Sequence, residues 1–277
     1  MVLKIGPAGL GGVKTAEKVL EDYHSKGFKA CEVSFTYSAY IKNEEDAVRI
    51  GKKAKELGID LSIHASYFVN LNSDEKEKIK ASKERILECC RVGEQLGVKV
   101  VVFHPGYYGN KVPKSSLDKL GQASDYGKKG TREEAYENIK KNVLDIMKEI
   151  KKKKWKIEIA PETMGKINVF GSVEEISKLV KETGCSFCID FAHILARDKE
   201  VDFAKIKKLF PQKKWHCHFS GIVFGEKGEK RHKTTTKTEW TNLFANLSKD
   251  KAITIINESP TMIKDCLEGL KISKKFF

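Results

Sequence analysis

The chain has 277 residues, 40% of them hydrophobic and 32% charged, with 21 Gly and 6 Pro. This supplies a large core at a length near the ~250 residues of an α/β barrel, and it excludes a collagen, a disulfide-dense miniprotein and a wholly disordered chain. The formal net charge of +14, carried by 46 Lys and only 6 Arg, fits a polyanionic partner whose phosphates shed counterions, and equally a Lys-rich solvated surface.

Apolar β-type runs alternate with charged helical stretches along the chain. In order, strands are predicted at Leu3–Gly6, Ala30–Phe35, Asp60–Ala65, Lys99–His104, Lys156–Glu162, Ser186–Asp190, Trp215–Phe219 and Ala252–Glu258. Helices are predicted near 15–26, 44–57, 74–96, 132–153, 173–183, 202–209, 239–247 and 261–271. Ser172 with Glu175 three residues on reads as a capping box, and Gly27, Gly58, Gly97 and Gly184 stand where helices close in a left-handed turn. Eight strand–helix pairs, with no Gly-x-Gly-x-x-Gly or Walker loop, predict one closed (β/α)8 TIM barrel over residues 1–277.

The seven cysteines are an odd number, and Cys185-x-x-Cys188 lacks the second pair of a zinc ribbon, so they are expected in the core as thiols. No apolar run approaches the ~20 residues of a membrane helix, and Met1–Gly12 does not read as a secretory signal. The expectation is a soluble intracellular, cytoplasmic protein (nucleoid-associated in a prokaryote), acting as a monomer. One long connection, from Gly106 to Gly130, carries Tyr107, Tyr108, Lys111, Lys114, Tyr126, Lys128 and Lys129. Its size and composition suit a loop that orders on substrate, and also plain disorder.

The strand ends carry the chemistry. They read Leu-Ser-Ile-His64, Val-Val-Phe-His104, Ala-Pro-Glu162, Cys-Ile-Asp190-Phe-Ala-His193, His216-Cys-His218 and Ile-Asn-Glu258. Period-2 alternation sends Leu61, Ile63, Phe187, Ile189, Trp215, Cys217 and Phe219 toward the helices, which leaves His64, Asp190, His216 and His218 facing the barrel axis. A ring of imidazoles and carboxylates is hard to bury without cations. Such N/O donor sets suit zinc, with manganese or iron as weaker choices, and make metal-activated water the nucleophile expected here.

Together the motifs Ile63-His64-Ala-Ser-Tyr-Phe-Val-Asn-Leu71, Phe103-His104-Pro-Gly106, Pro161-Glu162-Thr163, Cys188-Ile-Asp-Phe-Ala-His193, His218-Phe-Ser220, Arg231-His232 and Asn257-Glu258-Ser-Pro260 resemble the endonuclease IV family of zinc-dependent apurinic/apyrimidinic endonucleases. The resemblance runs from the first strand to Glu258. It implies His64, His104 and Glu162 around one zinc and Asp190, His218 and Glu258 around a second, with Glu162 shared. His193 and His232 would serve a third. Glu162 and Glu258 would be the catalytic carboxylates, and Tyr67 and Phe68 would enter the DNA stack at the lesion. The implied reaction is hydrolysis of the phosphodiester 5′ to an abasic site in duplex DNA, leaving a 3′-hydroxyl and a 5′-deoxyribose phosphate.

Two positions depart from the family pattern. The third zinc's carboxylate would fall at Lys230, so the expectation passes to the adjacent Glu229, with the Gly225–Gly228 segment absorbing a one-residue shift. The penetrating Arg after the second strand has no match, and Lys42 is the basic side chain offered there. A metal-dependent sugar isomerase or epimerase of the xylose-isomerase-like barrels is the alternative, since such enzymes need only one cation. A catalytically dead nucleic-acid-binding barrel is a third reading. In the tail, Leu270–Phe277, the closing Phe pair is expected to pack on the barrel; docking on a sliding clamp is the other reading of those rings.

Overall fold

The computed structural model describes residues 2–108 and 130–277. Its elements follow in chain order: β1 (Leu3–Pro7), α1 (Ala16–Ser25), β2 (Ala30–Ser34), α2 (Glu44–Leu57), β3 (Asp60–His64), α3 (Lys76–Leu96), β4 (Val100–Phe103), α4 (Gly130–Lys152), β5 (Glu158–Pro161) and α5 (Val173–Thr183). Then come β6 (Cys188–Asp190), α6 (Phe191–Asp198), α7 (Phe203–Leu209), β7 (Lys214–Phe219), β8 (Gly221–Gly225), β9 (Gly228–Lys233), α8 (Lys237–Asn246), β10 (Ala252–Asn257) and α9 (Met262–Ser273). Most of the predicted loop from Gly106 to Gly130 lies outside the described residues.

Eight parallel strands form a TIM barrel in two halves, β1-β10-β7-β6 and β2-β3-β4-β5. Single parallel bridges, Ala8 with Glu32 and Glu162 with Cys188, join the halves at two seams. At the first seam a side chain on Gly6 would collide with the Ala30 carbonyl, so only glycine permits that strand approach. Alternation sorts the strands as predicted: Ile63, Ile189, Trp215 and Cys217 join the apolar layer under the helices, and the barrel axis receives the polar set. Ser172 and Glu175 make the capping box of α5, with Ser172 Oγ accepting from the Glu175 N–H (3.2 Å) and Glu175 accepting from the Ser172 N–H (2.9 Å). All seven cysteines are buried thiols. Among the described residues, no helix is long and apolar enough to cross a membrane.

The structure adds three elements to the predicted set, α6 and the two strands of a hairpin. His193 stands in the first turn of α6, not on a strand end, because Asp190 caps that helix by accepting the His193 N–H (2.8 Å). The antiparallel hairpin β8–β9 rises beside it; β8 is a short Ile-Val-Phe run between glycines and β9 is polar throughout, so neither shows the apolar alternation by which a strand is recognised. In the tail, Phe276 and Phe277 lie against Phe244 of α8 at ring distances of 6.2 and 5.8 Å, and Ile272 is buried. Deleting residues 272–277 is expected to cost about 2–4 kcal/mol and to lower Tm by several degrees in a melt. An unchanged Tm would mean that the tail contributes no packing.

Candidate metal centre

Glu162, fully buried where β5 ends, is the hub. Its Oε2 lies 3.2 Å from His64 Nε2 and 3.1 Å from His104 Nε2; its Oε1 lies 3.1 Å from His218 Nδ1 and 3.3 Å from His193 Nδ1. Three donor sets share this end of the barrel: His64, His104 and Glu162; Glu162, Asp190, His218 and Glu258; and His193, Glu229 and His232. Within each set the ligand atoms lie within 4.8 Å of one another, and His64, His104, His193, Glu229, His232 and Glu258 line one cavity of about 320 Å³. These are the nine residues expected as ligands from the sequence, gathered at one site.

The third set depends on a β-bulge. Across the hairpin Val223 pairs with Arg231 while Phe224 pairs with Glu229, so Lys230 is left unopposed. An unbroken strand would put Lys230 and His232 on one face; the bulge puts Glu229 there. The one-residue shift therefore arises at Lys230 itself and not in the Gly225–Gly228 turn. Glu229 Oε2 comes within 3.4 Å of His193 Nε2. Gly165 makes room, since a Cβ there would stand 2.8 Å from Glu229 Cβ and 2.9 Å from His193 Cδ2.

The histidines are oriented from behind. His64 Nδ1 donates to the Ala65 carbonyl (2.7 Å) and His193 Nδ1 to the Thr163 carbonyl (3.0 Å), which turns each Nε2 into the cluster. His232 Nδ1 meets Ser220 Oγ at 2.6 Å, and that hydroxyl itself donates to the Gly221 carbonyl (2.9 Å). His218 is inverted, with Nδ1 in the cluster.

Charges balance in a way that suits cations. Burial raises the Glu162 carboxyl, but the His218 charge and the hydrogen bonds of His104 and His193 hold it well below the usual carboxylate range. Burial lowers His193 and His218, yet neighbouring acidic groups, Asp190 for the former and Cys188 and Glu258 for the latter, bring both well above an ordinary imidazole. Burial raises Asp190, with Glu162 and Glu258 adding to it, and depresses His104. Asp190 Oδ2 is buried with no hydrogen-bond partner, an expensive condition that a coordinated cation relieves. The His, Asp and Glu donors fit divalent metal ions.

Tyr67 and Phe68 are 49% and 58% exposed at the rim, and the Tyr67 ring lies 5.3 Å from both His64 and His104. Sequence reasoning missed Tyr37, 74% exposed on the β2–α2 loop and stacked on Phe68 at 5.8 Å. Lys42 is exposed farther along that loop, where its charge acts on Glu88 of α3. Tyr107 is exposed at the cavity, whereas Tyr108 is buried and donates to Glu175 (2.7 Å), so it serves the scaffold and not a substrate loop. Glu32 was also missed, although an acid inside Ala-Cys-Glu-Val-Ser at an inward position was a visible signal. Lys111, Lys114, Tyr126, Lys128 and Lys129 lie outside the described residues.

The chain is 30% identical to an uncharacterised protein of Methanocaldococcus jannaschii, over 98% of this chain and 97% of that one. It is 24% identical to a probable endonuclease 4 of a Sulfurihydrogenibium species, over 79% of this chain and 78% of that one. Among solved structures, endonuclease IV from Thermus thermophilus superposes with a TM-score of 0.70 at 18% identity, covering 99% of this chain and 98% of that one. The D-psicose 3-epimerase of Clostridium cellulolyticum reaches 0.67 at 14% identity, covering 99% of each chain. Nuclease and epimerase thus share this fold, and the fold does not choose between them. Residues 20–274 match the family described as the xylose isomerase-like TIM barrel, and the chain belongs to that family.

Proposed function

We propose that the protein is a zinc-dependent endonuclease that cleaves duplex DNA at abasic sites. The observation that carries this reading is the His193–Glu229–His232 set, standing beside two sets joined by Glu162 around one cavity. Single-cation sugar chemistry has no use for it. Bound divalent cations would lower the pKa of a coordinated water and neutralise charge developing on a phosphate. The chain's own part is to hold that site and present DNA to it. Glu162 and Glu258 converge on His218 Nδ1 at 3.1 and 3.4 Å, so the two carboxylates and this imidazole would hold one cation between them. Exposed Lys230, Arg231 and Lys233 on β9 give the rim positive charge for phosphates, and the rim aromatics offer a stacking surface where a nucleotide is displaced.

The deciding experiment is nicking of a duplex carrying one synthetic abasic site, with and without chelator. Incision that leaves a 3′-hydroxyl, is lost on chelation and returns with zinc is the expected result; no incision at any metal loading would overturn the reading. The sugar epimerase alternative draws on one observation, that Glu162, Asp190, His218 and Glu258 alone make a complete single-cation set. Turnover of ketohexoses by the manganese-loaded protein, without nicking, would favour it.

Replacing Glu229 with Gln is expected to remove the third metal equivalent while the other two remain, and to slow nicking on the order of 10²-fold, from the loss of one cation's charge stabilisation. Metal counting and nicking rates check this together. Unchanged values would reduce Glu229 to a rim charge.

A further inference from the structure

Below the cavity, on the side of His218 away from the other ligands, Glu32 is fully buried on β2 and belongs to none of the donor sets. We propose that Glu32 is a positioning residue: it holds the ring proton of His218 on Nε2, so that Nδ1 is left to the cation shared with Glu162, Asp190 and Glu258. This rests on the metal-centre part of the reading above, and not on the reaction.

The argument starts from the other histidines. His64, His193 and His232 each have one nitrogen tied to a neutral oxygen, which fixes where the proton sits and frees the other nitrogen. His218 has no such carbonyl or hydroxyl. Its Nδ1 stands among Glu162 and Glu258, and any metal bound there must displace the proton on that atom. The one remaining place for a proton is Nε2, which is buried and has no hydrogen bond to any other group. Glu32 Oε1, equally buried and equally without another partner, lies 2.9 Å from it, close enough for an ion pair but off the line of a straight hydrogen bond.

Glu32 is itself held in place. The β2–β3 register sets it opposite Ser62, whose hydroxyl donates to Oε2 (2.7 Å), and His216 Nε2 approaches the same oxygen at 3.1 Å. Because His216 and His218 are two residues apart on β7, both face inward and divide the carboxylate between them. Oε2 is thus occupied from two sides and Oε1 is reserved for His218. A carboxylate behind a metal-binding histidine fixes the tautomer and also makes the ligand nitrogen more basic than a carbonyl would.

The test compares wild type, Glu32→Gln and Glu32→Leu by metal content after dialysis at graded free zinc, with histidine-ring nitrogen NMR of the zinc-loaded protein. Glu32→Leu is expected to weaken one cation about 10–100-fold. Glu32→Gln recovers part of that loss, because its amide oxygen still accepts the Nε2 proton. Binding at His193, Glu229 and His232 is expected to stay unchanged, and the spectrum of the loaded wild type to place the His218 proton on Nε2.

Wild-type zinc affinity in the variants, or a proton on Nδ1 in the loaded protein, overturns the proposal. So does the loss of an additional metal equivalent accompanied by new reactivity of Cys188 to alkylation. Cys188, His216 and His218 also lie at ligand spacing, and that outcome would make Glu32 a direct ligand of a deeper cation. If Glu32→Leu does not fold, Glu32→Gln and the wild-type spectrum still decide. None of these readouts needs cleavage, so an inactive protein with a Glu32-dependent cation refutes the nuclease reading and leaves this one standing.

Discussion

Glu162→Ala is expected to abolish metal-dependent nicking, by at least ~10³-fold, and to remove two metal equivalents together. One carboxylate belongs to two donor sets, with a histidine pair against one oxygen and another pair against the other. Losing it opens both sets at once, and each cation contributes several kcal/mol of charge stabilisation where about 1.4 kcal/mol is a factor of ten. The variant also leaves His64, His104, His193 and His218 gathered without their common counter-charge. The metal-free protein should therefore tolerate acid less well, as those imidazoles gain protons next to one another. Elemental analysis and the nicking assay on the same preparation check it. Wild-type activity, or the loss of a single equivalent, would rule out a shared carboxylate.

Replacing Tyr67 and Phe68 together with Ala is expected to weaken binding to an abasic duplex by about 1–3 kcal/mol for each stack lost, with little effect on undamaged duplex. Tyr37→Ala should show part of the same selective loss, because Phe68 stacks on that ring. Exposed aromatic faces gain most where a displaced nucleotide leaves a gap to fill. Tyr67 also touches His64 and His104, so metal content of the variants must be measured alongside. Equal weakening on both duplexes, with metal intact, would make the three rings a general contact surface with no role at the lesion.

The inner site was legible because a barrel turns strand ends into a common rim. His64, His104, Glu162, Asp190, His218 and Glu258 each lie within one residue of a strand's end, and one rule of alternation places them all. That rule stops at Asp190, where the chain turns at once into a short helix and the cap of that helix sets His193. Glu229 was anticipated at the third set, but the cause of the shift was not: a bulge on β9 exchanges the face of Lys230 for that of Glu229, and a bulge is a local choice of backbone with no regular sequence signature. Glu32 was overlooked for a different reason. A single acid in an apolar strand makes sense only when its partners are known, and these come from β3 and β7, distant in the chain.

The two single-bridge seams give metal loading a mechanical consequence. His64, His104 and Glu162 all come from the β2-to-β5 half, while Asp190, His218 and Glu258 come from the half that contains β1, β6, β7 and β10. Glu162 is the one member of the second set supplied from across the β5–β6 seam, where backbone pairing has thinned to a single bridge. A cation in that set would act as a rivet between two half-shells, carrying load where the hydrogen-bond ladder does not. Stripping the metal should then raise amide exchange first along that edge, at Thr163, whose N–H donates to the Cys188 carbonyl (3.0 Å), before the ladders inside either half respond. Exchange that rises evenly around the barrel would mean that the halves hold together without it. If the seam loosens first, a cation in this site also keeps the barrel closed.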